Sequence, residues 1–516
     1  MEHREQWGSR AGFILAAAGS AIGLGNIWRF PYVAYENGGG AFLIPYFFAL
    51  LTAGIPILLL EFGVGRLGGG SAPLSLSKLS RRFEWLGWWQ VMICFIITTY
   101  YVAVIAWALS YFFYSFNLSW GEDTGGFFSN TYLNLPDAPY GAVKTGGTLG
   151  GVQWHILLPL LAVWAGTYFI LYRGVKRGIE KVSKIFMPLL LIIMILFVIR
   201  AVTLPGAAVG LNHLFTPDFG KILPPFLGGT DPLWHKVWLA AYGQIFFSLS
   251  IAFAIMITYS SYLNKKQDVN NSGFIMAFSN SGFEFLAAIG VFAAIGFMAV
   301  STGTGVEKVA TGGPGLAFVV FPQIINNFPF MNGTFGALFF LSLVLAGFTS
   351  LISIVEVLIA SLMDKFRLSR KSAVNWVVGV CTLVSVVYTT GAGIILLDIV
   401  DNFINSFGIV IAGLAEVILV GWFANLMRIR EENNLVSDYR VGMWWNIMIM
   451  GVTPLVLLYM TYKNFETELS RNYEDYTTEA LLYFGWIMVI LTVVIAFTLA
   501  YAIKWKANNE TEVRRT

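Results

Sequence analysis

The stretch Ala18-Gly-Ser-Ala-Ile-Gly-Leu-Gly-Asn-Ile-Trp-Arg-Phe-Pro31 sets three glycines, an asparagine, an arginine and a proline inside an otherwise apolar run. Each glycine weakens a helix by about 1 kcal/mol. Polar groups at membrane depth are costly and usually line a cavity. Small residues alone would also suit close helix packing, but Asn26 and Arg29 in the same stretch favour a break. A second stretch, Gly243-Gln-Ile-Phe-Phe-Ser-Leu-Ser-Ile-Ala-Phe253, carries Ser248 and Ser250. Taken alone, those serines would simply bond back to the preceding turn. A broken helix exposes unpaired N–H and C=O groups: the N–H ends suit an anionic carboxylate, and the carbonyls suit a small hard cation.

Such chemistry needs a scaffold that holds it inside a membrane. Of the 516 residues 57% are hydrophobic and 12% charged, against roughly 25% charged in soluble domains. Apolar runs of about 20 residues, enough to cross a ~30 Å hydrocarbon core, recur along the whole chain. Open sheets are excluded there and no alternating barrel pattern occurs, so the expected fold is all-α and polytopic. Twelve spans are placed at 11–36, 41–65, 86–115, 154–172, 180–202, 236–262, 273–300, 334–363, 373–390, 393–424, 443–462 and 478–503.

With that placement, three-quarters of the 32 Lys and Arg fall on the side of the N-terminus. The bias puts both termini in the cytoplasm. The two suspect stretches lie in spans one and six. That is the pattern of two five-helix repeats of inverted topology. The domain expectation is therefore a cytoplasmic N-terminus (1–10), a first repeat (11–202), an extracellular connection (203–235) and a second repeat (236–424). Two further helices (425–503) and a cytoplasmic tail (504–516) follow. Outside loops are expected at about 116–153 and around Thr311–Gly315. Cys94 and Cys381 fall in apolar runs and read as small buried hydrophobes. The four histidines lack ligand spacing, and no HExxH, Walker loop or nucleophile elbow is present, so no enzyme is expected. A channel would need a continuous polar path, whereas these polar groups cluster at one depth.

The first stretch, together with Glu36-Asn-Gly-Gly-Gly-Ala-Phe42, resembles the neurotransmitter:sodium symporter family, most of all its bacterial LeuT-like amino-acid transporters. The resemblance continues in order through Arg173-Gly-Val-Lys-Arg-Gly-Ile-Glu180, Gly243–Phe247, Ala346-Gly-Phe-Thr-Ser350 and Leu368-Ser-Arg-Lys371. Spans eleven and twelve carry little of it. It implies a sodium-coupled symporter that takes up a neutral, hydrophobic amino acid by alternating access. The protein would sit in a prokaryotic plasma membrane, bind no nucleic acid, and leave a homodimer through the last two spans open.

Two sodium ions are implied. The first would be held by the Ala21 carbonyl, Asn26, Ser248 and Asn280. The second would use the carbonyls of Gly19, Ile22 and Ala346 with the hydroxyls of Thr349 and Ser350. Oxygen-only ligands are what a hard cation favours. Where this chain has Ser248 the family more often has threonine; the hydroxyl survives. The substrate carboxylate would meet N–H groups near Leu24 and Gly25 and the Tyr101 hydroxyl. The pocket would be lined by Ala21, Ile97, Tyr101, Phe247, Ser250, Phe253, Ser350 and Ile354. Monoamine members have an acid near the position of Gly23, so an amine is not expected.

Where LeuT-like members have glycine, Ala252 would set a methyl in the unwound segment beside the substrate, shrinking the pocket or reshaping the break; Leu351, where a small residue is more usual, points the same way, and both hint at a small or medium aliphatic substrate. Glu284 stands where chloride-dependent members are neutral, which implies chloride independence. Glu61, Glu356 and Glu416 are further intramembrane carboxylates. Arg29 and Asp401 match the family's outer gate pair, and Arg4 and Asp364 the inner one, with Trp7, Ser261 and Tyr262 nearby.

Overall fold

The computed structural model describes residues 5–144, 146–310 and 312–506. Among the described residues the regular elements are all helical, with only isolated bridges between extended residues. Ten helices among the described residues are long and apolar enough to cross a membrane. These are α3 (Gly40–Gly68), α5 (Arg81–Tyr114), α6 (Trp154–Tyr172), α7 (Val175–Val202) and α11 (Asn270–Thr302), then α13 (Asn332–Phe366), α14 (Arg370–Thr389), α15 (Gly393–Phe423), α17 (Met443–Asp475) and α18 (Thr478–Ala502). A bent pair, α1 (Arg10–Ala21) and α2 (Leu24–Glu36), raises the number to eleven. The span expected over 236–262 is carried by two short helices, α9 (Trp234–Ser248) and α10 (Ile255–Ser260). Neither is long enough alone to cross. Shorter helices lie between: α4 (Ala72–Leu79), α8 (Ala207–Phe215), α12 (Gly313–Asn326) and α16 (Leu426–Val436).

Two boundaries depart from the sequence reading. The helix expected to stop at 462 runs to Ser470 and is extended by a short turn over Tyr473–Asp475. Lys463 and Glu466, 2.5 Å apart, support the added turns as a surface pair. The loop expected around 311–315 begins a helix at Gly313; Thr311 itself lies outside the described residues.

The two interruptions have different causes. Between α1 and α2 the axis bends by 58°. Gly23 is extended there (φ −113°, ψ −166°), and its N–H is taken by Asn26 Oδ1 at 2.9 Å. Between α9 and α10 the chain unwinds over 249–254, with Ser250, Ala252 and Ala254 all left-handed at φ 52°, 64° and 59°. Non-glycine residues there cost roughly 1–2 kcal/mol each, so the surroundings must impose the shape. One face of α3 supplies part of that. Gly54 and Gly65 let its backbone approach closely: a Cβ would come within 2.6 Å of the Ile245 side chain at one and 2.0 Å of the Ile257 carbonyl at the other. Glu61, on the same face between them, accepts the Ala252 N–H at 2.5 Å. From α5, the Cys94 thiol donates to the Phe253 carbonyl at 2.9 Å. Both cysteines are buried and free.

The described chain ends meet at one face of the bundle. Glu5 contacts Arg370, and Trp505 is buried over the Lys365 ammonium at 4.6 Å. That ammonium is itself fully buried and paired with Glu84 at 2.7 Å.

Candidate functional site

A cavity of about 790 Å³ runs from the two breaks to the face opposite the termini. Its floor is Ser20, Ala21, Gly23, Ser350 and Ile354; its mouth is formed by Gly312–Gly315, Asp398, Asn402 and the Tyr473–Tyr476 turn. Ala21, Leu24, Gly25, Ile97, Tyr101, Phe247, Ser250, Phe253, Ser350 and Ile354 all line it. The structure thus brings the ten expected pocket residues together.

Local geometry explains why these residue types occur here. The Leu24 N–H faces the Tyr101 hydroxyl at 3.4 Å, a long contact that leaves both free to turn to a ligand. A Cβ on Gly23 would stand 3.1 Å from both Tyr101 Oη and Ser350 Oγ, so a side chain there would intrude on this polar spot. A Cβ on Gly25 would collide with the Phe247 ring at 2.4 Å. The Arg29 guanidinium lies over that ring, 4.8 Å from its centre. The Ser20 carbonyl, released by the break, accepts from both Ser250 and Ser350 at 3.1 Å.

Next to the floor, three amide and hydroxyl side chains form a buried chain. Asn26 Nδ2 donates to Asn280 Oδ1 at 2.8 Å, and Asn280 Nδ2 donates to Ser248 at 3.1 Å. Ala21 closes α1 beside them. On the other side of α1, the Thr349 hydroxyl donates to the Ala346 carbonyl at 3.0 Å, and Ser350 also faces the Gly19 carbonyl at 3.4 Å. Ile22 follows at the end of α1, with its own N–H still bonded to Ala18. Each cluster offers only uncharged oxygens, a donor set suited to a weakly held hard cation.

Glu284 sits one turn beyond Asn280, fully buried among donors. Tyr46 bonds one of its oxygens and Gln244 the other at 2.7 Å, and Tyr46 also reaches Ser281. Glu356, which the sequence left without a partner, is gripped by both Arg370 nitrogens at 3.0 and 2.6 Å and by the Tyr262 hydroxyl at 2.7 Å.

Among the described residues, Arg29 and Asp401 form no ion pair. Asp401 accepts instead from Tyr100 at 2.6 Å and Asn405 at 2.8 Å, and both charges line the open cavity. At the opposite end the way is shut. Trp7 is buried on edge against Tyr259 and Tyr262, bonded to the Tyr259 carbonyl at 2.8 Å. Asp364 accepts the Ser71 N–H at 2.7 Å, while Arg4 lies outside the described residues. Ser261 is buried one residue before Tyr262. Sequence reasoning missed two carboxylates here. Glu5 bonds the Val175 N–H at 2.6 Å and Arg370 at 3.2 Å; Glu180 takes the Gly8 N–H at 2.6 Å and Ser9 at 2.9 Å. A signal existed for the second: Gly12, where a Cβ would lie 2.3 Å from Glu180, is a glycine in the first turn of α1.

Two expectations are corrected. The Ala252 methyl does not face the cavity, because its left-handed backbone turns it toward Gly413, where a Cβ would meet it at 3.3 Å. Leu351 is fully buried and outside the cavity lining.

A polytopic helical bundle in which two interrupted helices meet at one open cavity is the arrangement of a secondary transporter. The model of the sodium:neurotransmitter symporter family matches residues 4–507, and the chain belongs to that family. It is 42% identical to an uncharacterised sodium-dependent transporter of Methanocaldococcus jannaschii, over 96% of this chain and 97% of that one. It is 30% identical to the human sodium- and chloride-dependent GABA transporter 2, over 95% and 85%. The solved structure of MhsT in complex with L-phenylalanine superposes with a TM-score of 0.73 at 33% identity, covering 90% of this chain and all of that one. The protein is a multi-pass, sodium-coupled membrane transporter of LeuT-like fold, in a transporter family rather than an enzyme family.

Proposed function

We propose that this chain takes up a neutral, hydrophobic α-amino acid together with two sodium ions, by alternating access and without chloride. The observation that carries the reading is the convergence of Tyr101, the Leu24 N–H, the Ser20 carbonyl of the first break and the Ser250 hydroxyl of the second at the floor of one apolar-walled cavity with no acidic side chain at that level. The substrate carboxylate lies against the Leu24–Gly25 N–H groups and Tyr101. Its amino group meets carbonyls of the broken segments, and its side chain lies among Ile97, Phe247, Phe253 and Ile354. With the Ala252 methyl turned away, the hint of a small aliphatic substrate loses its support. MhsT was solved with phenylalanine, and a side chain of that size is compatible with these walls.

The first sodium draws on the Ala21 carbonyl, Asn26, Ser248 and Asn280, with the substrate carboxylate as a further ligand, so ion and substrate favour each other's binding. Its entry exchanges the Asn26–Asn280 and Asn280–Ser248 hydrogen bonds for ion–oxygen contacts. The second draws on Gly19, Ile22, Ala346, Thr349 and Ser350 and contains no carboxylate, which suits weak, size-selective binding. Glu284 occupies a nest of donors from Tyr46 and Gln244 that would otherwise suit an anion, and its own charge replaces chloride.

The 236–262 pair completes twelve spans, arranged as the two inverted repeats followed by two helices. Both termini face the cytoplasm by the charge bias, so the cavity opens outward. Arg29 and Asp401 close over the substrate, after which Arg4 and Asp364 part on the other side. Inward sodium movement supplies about 2.3 kcal/mol per charge for each 100 mV.

The test is uptake of each of the twenty amino acids into proteoliposomes, with an inward sodium gradient or with potassium in its place. Sodium-dependent accumulation of neutral amino acids, unchanged when gluconate replaces chloride, is expected. Folded protein with no such uptake overturns the substrate assignment, and loss of uptake in gluconate overturns the role of Glu284.

A further inference from the structure

Arg200 stands in the last turn of α7, among the exposed apolar side chains of Ile195, Leu196, Ile199 and Val202. An arginine at such a helix end ordinarily extends its charge toward water and headgroups. This one turns inward. Its guanidinium carbon lies 5.4, 4.8 and 5.5 Å from the ring centres of Phe328, Phe330 and Phe335. Its Nε and Nη2 are buried with no hydrogen-bond partner, and no carboxylate among the described residues pairs with it. Each ring is within the ~6 Å at which a cation is attracted to an aromatic face, so the three rings account for a charge that has no other partner. A planar guanidinium fits such a cage better than a compact ammonium.

The three rings belong to one stretch of chain. Phe328 and Phe330 lie in the connection that follows α12, and Phe335 is in the first turn of α13. One turn before Arg200, Phe197 reaches the same region. Its ring is 5.8 Å from Phe321 on α12 and 5.7 Å from Phe339 on α13, and those two stack on each other at 3.9 Å. At 1.5 Å per residue α12 is about 20 Å long, and its ends have different surroundings. The first turn, with Gly313, Pro314 and Gly315, forms part of the cavity mouth. Beside it, a Cβ on Gly312 would stand 3.0 Å from the Tyr32 ring. The far end leads into the Arg200 cage. Neutral hydrogen bonds hold the flank, from Thr124 to the Val319 carbonyl at 2.9 Å and from Trp120 to Asn326 at 2.8 Å. Arg200 is outside the cavity lining, so it acts on the mouth only through α12.

We propose that Arg200 is a positioning residue for transport: its aromatic cage fixes the far end of α12 to α7, and the mouth end of α12 is placed, and moves as the cavity closes, about that fixed point. The proposal rests on the transport reading, in which the mouth must close in every cycle. A charge held by ring faces suits the task. The attraction depends on distance to a broad face rather than on one hydrogen-bond direction, so the joint can turn without breaking.

The test is hydrogen-exchange mass spectrometry of the purified full-length protein, comparing α12 with α5. It needs no transport, so it is independent of the substrate assignment. Arg200→Met keeps the reach and removes the charge; Arg200→Lys keeps the charge and removes the plane. Exchange in α12 should rise about tenfold in Arg200→Met and about threefold in Arg200→Lys, with α5 unchanged within about twofold. An α12 that exchanges as in wild type in Arg200→Met overturns the anchor. Equal acceleration of α12 and α5 means general loosening and overturns the positioning role. If Arg200→Met does not fold, Phe330→Leu carries the test, because it removes the nearest ring from an exposed position. It should raise α12 exchange about threefold, and no rise overturns the proposal. A second readout is sodium-driven uptake of L-phenylalanine into proteoliposomes. Arg200→Met should lower the maximal rate about fivefold with KM within about twofold, and Arg200→Lys should recover half of the loss. An unchanged maximal rate, with or without a raised KM, overturns the role in closure. Wild-type protein that takes up no phenylalanine counts against the substrate reading, and the exchange comparison then decides the anchor by itself.

Discussion

The two ends of the cavity axis are built from similar parts and are in opposite states. At the end away from the termini, Arg29 and Asp401 share an open cavity without touching, each held by other neighbours. At the end with the termini, the half-exposed Glu5 joins a buried network of Arg370, Glu356 and Tyr262, and Trp7 seals it. The difference is one of desolvation. A charge pair in an open cavity is worth about 0–1 kcal/mol. Removing one partner of a buried, forked pair costs about 3–5 kcal/mol, because the other charge is left stranded. A gate of the first kind closes and opens readily; one of the second kind holds until something offsets it.

The sharpest way to break this comparison is Arg370→Ala. It strands Glu356, which is fully buried, and at about 3–5 kcal/mol uptake should fall by a hundredfold or more. Arg370→Lys should recover part of it, lacking only the fork. A loss below tenfold would place the two ends on an equal footing. Trp7→Ala removes a large buried side chain, which typically costs about 3–5 kcal/mol. Part of that should appear as opening of the termini end, with amide exchange in Ile255–Ser260 faster by tenfold or more in exchange mass spectrometry. Midway between the ends, Glu284→Ser empties the donor nest. Uptake in chloride-free buffer should drop about tenfold, roughly the 1.4 kcal/mol of one decade, and recover when chloride is added. The smallest effect belongs to the open end. Asp401→Asn keeps an acceptor for Tyr100 and breaks no ion pair, so the change in uptake should stay under about fivefold, about 1 kcal/mol. A larger loss would show that this pair closes into a dry contact.

Most helix bounds were legible in the chain because bilayer thickness dictates run length; 154–172 and α6 coincide. The first break was legible too: Gly23 supplies the extended backbone, and Asn26, already conspicuous at membrane depth, caps it. The second break was only half legible. Its sequence, Ser-Leu-Ser-Ile-Ala-Phe-Ala, contains no glycine, so three left-handed residues could not be read from it. For the same reason the Ala252 methyl was expected beside the substrate, whereas a positive φ sends it to Gly413. The network at the termini end was illegible because Glu5, Glu356 and Arg370 meet across separations of up to 365 residues, and Glu180 reaches Gly8 across 172; charge pattern along a chain says nothing about such meetings. Glu61 and Glu416 were conspicuous as intramembrane acids, but that Glu61 holds the Ala252 N–H and Glu416 the Gln90 amide follows only from the fold.

Ala252 and Ala254 have a practical corollary for anyone who needs a more robust preparation. Glycine-to-alanine replacement ordinarily rigidifies a protein by about 0.4–1 kcal/mol through the unfolded chain. Here the arithmetic is reversed: a left-handed alanine costs roughly 1–2 kcal/mol in place, more than the chain entropy that glycine would restore. Alanine-to-glycine exchange at these two positions should therefore raise the melting temperature in detergent, an engineering rule run backwards at one loop of one helix.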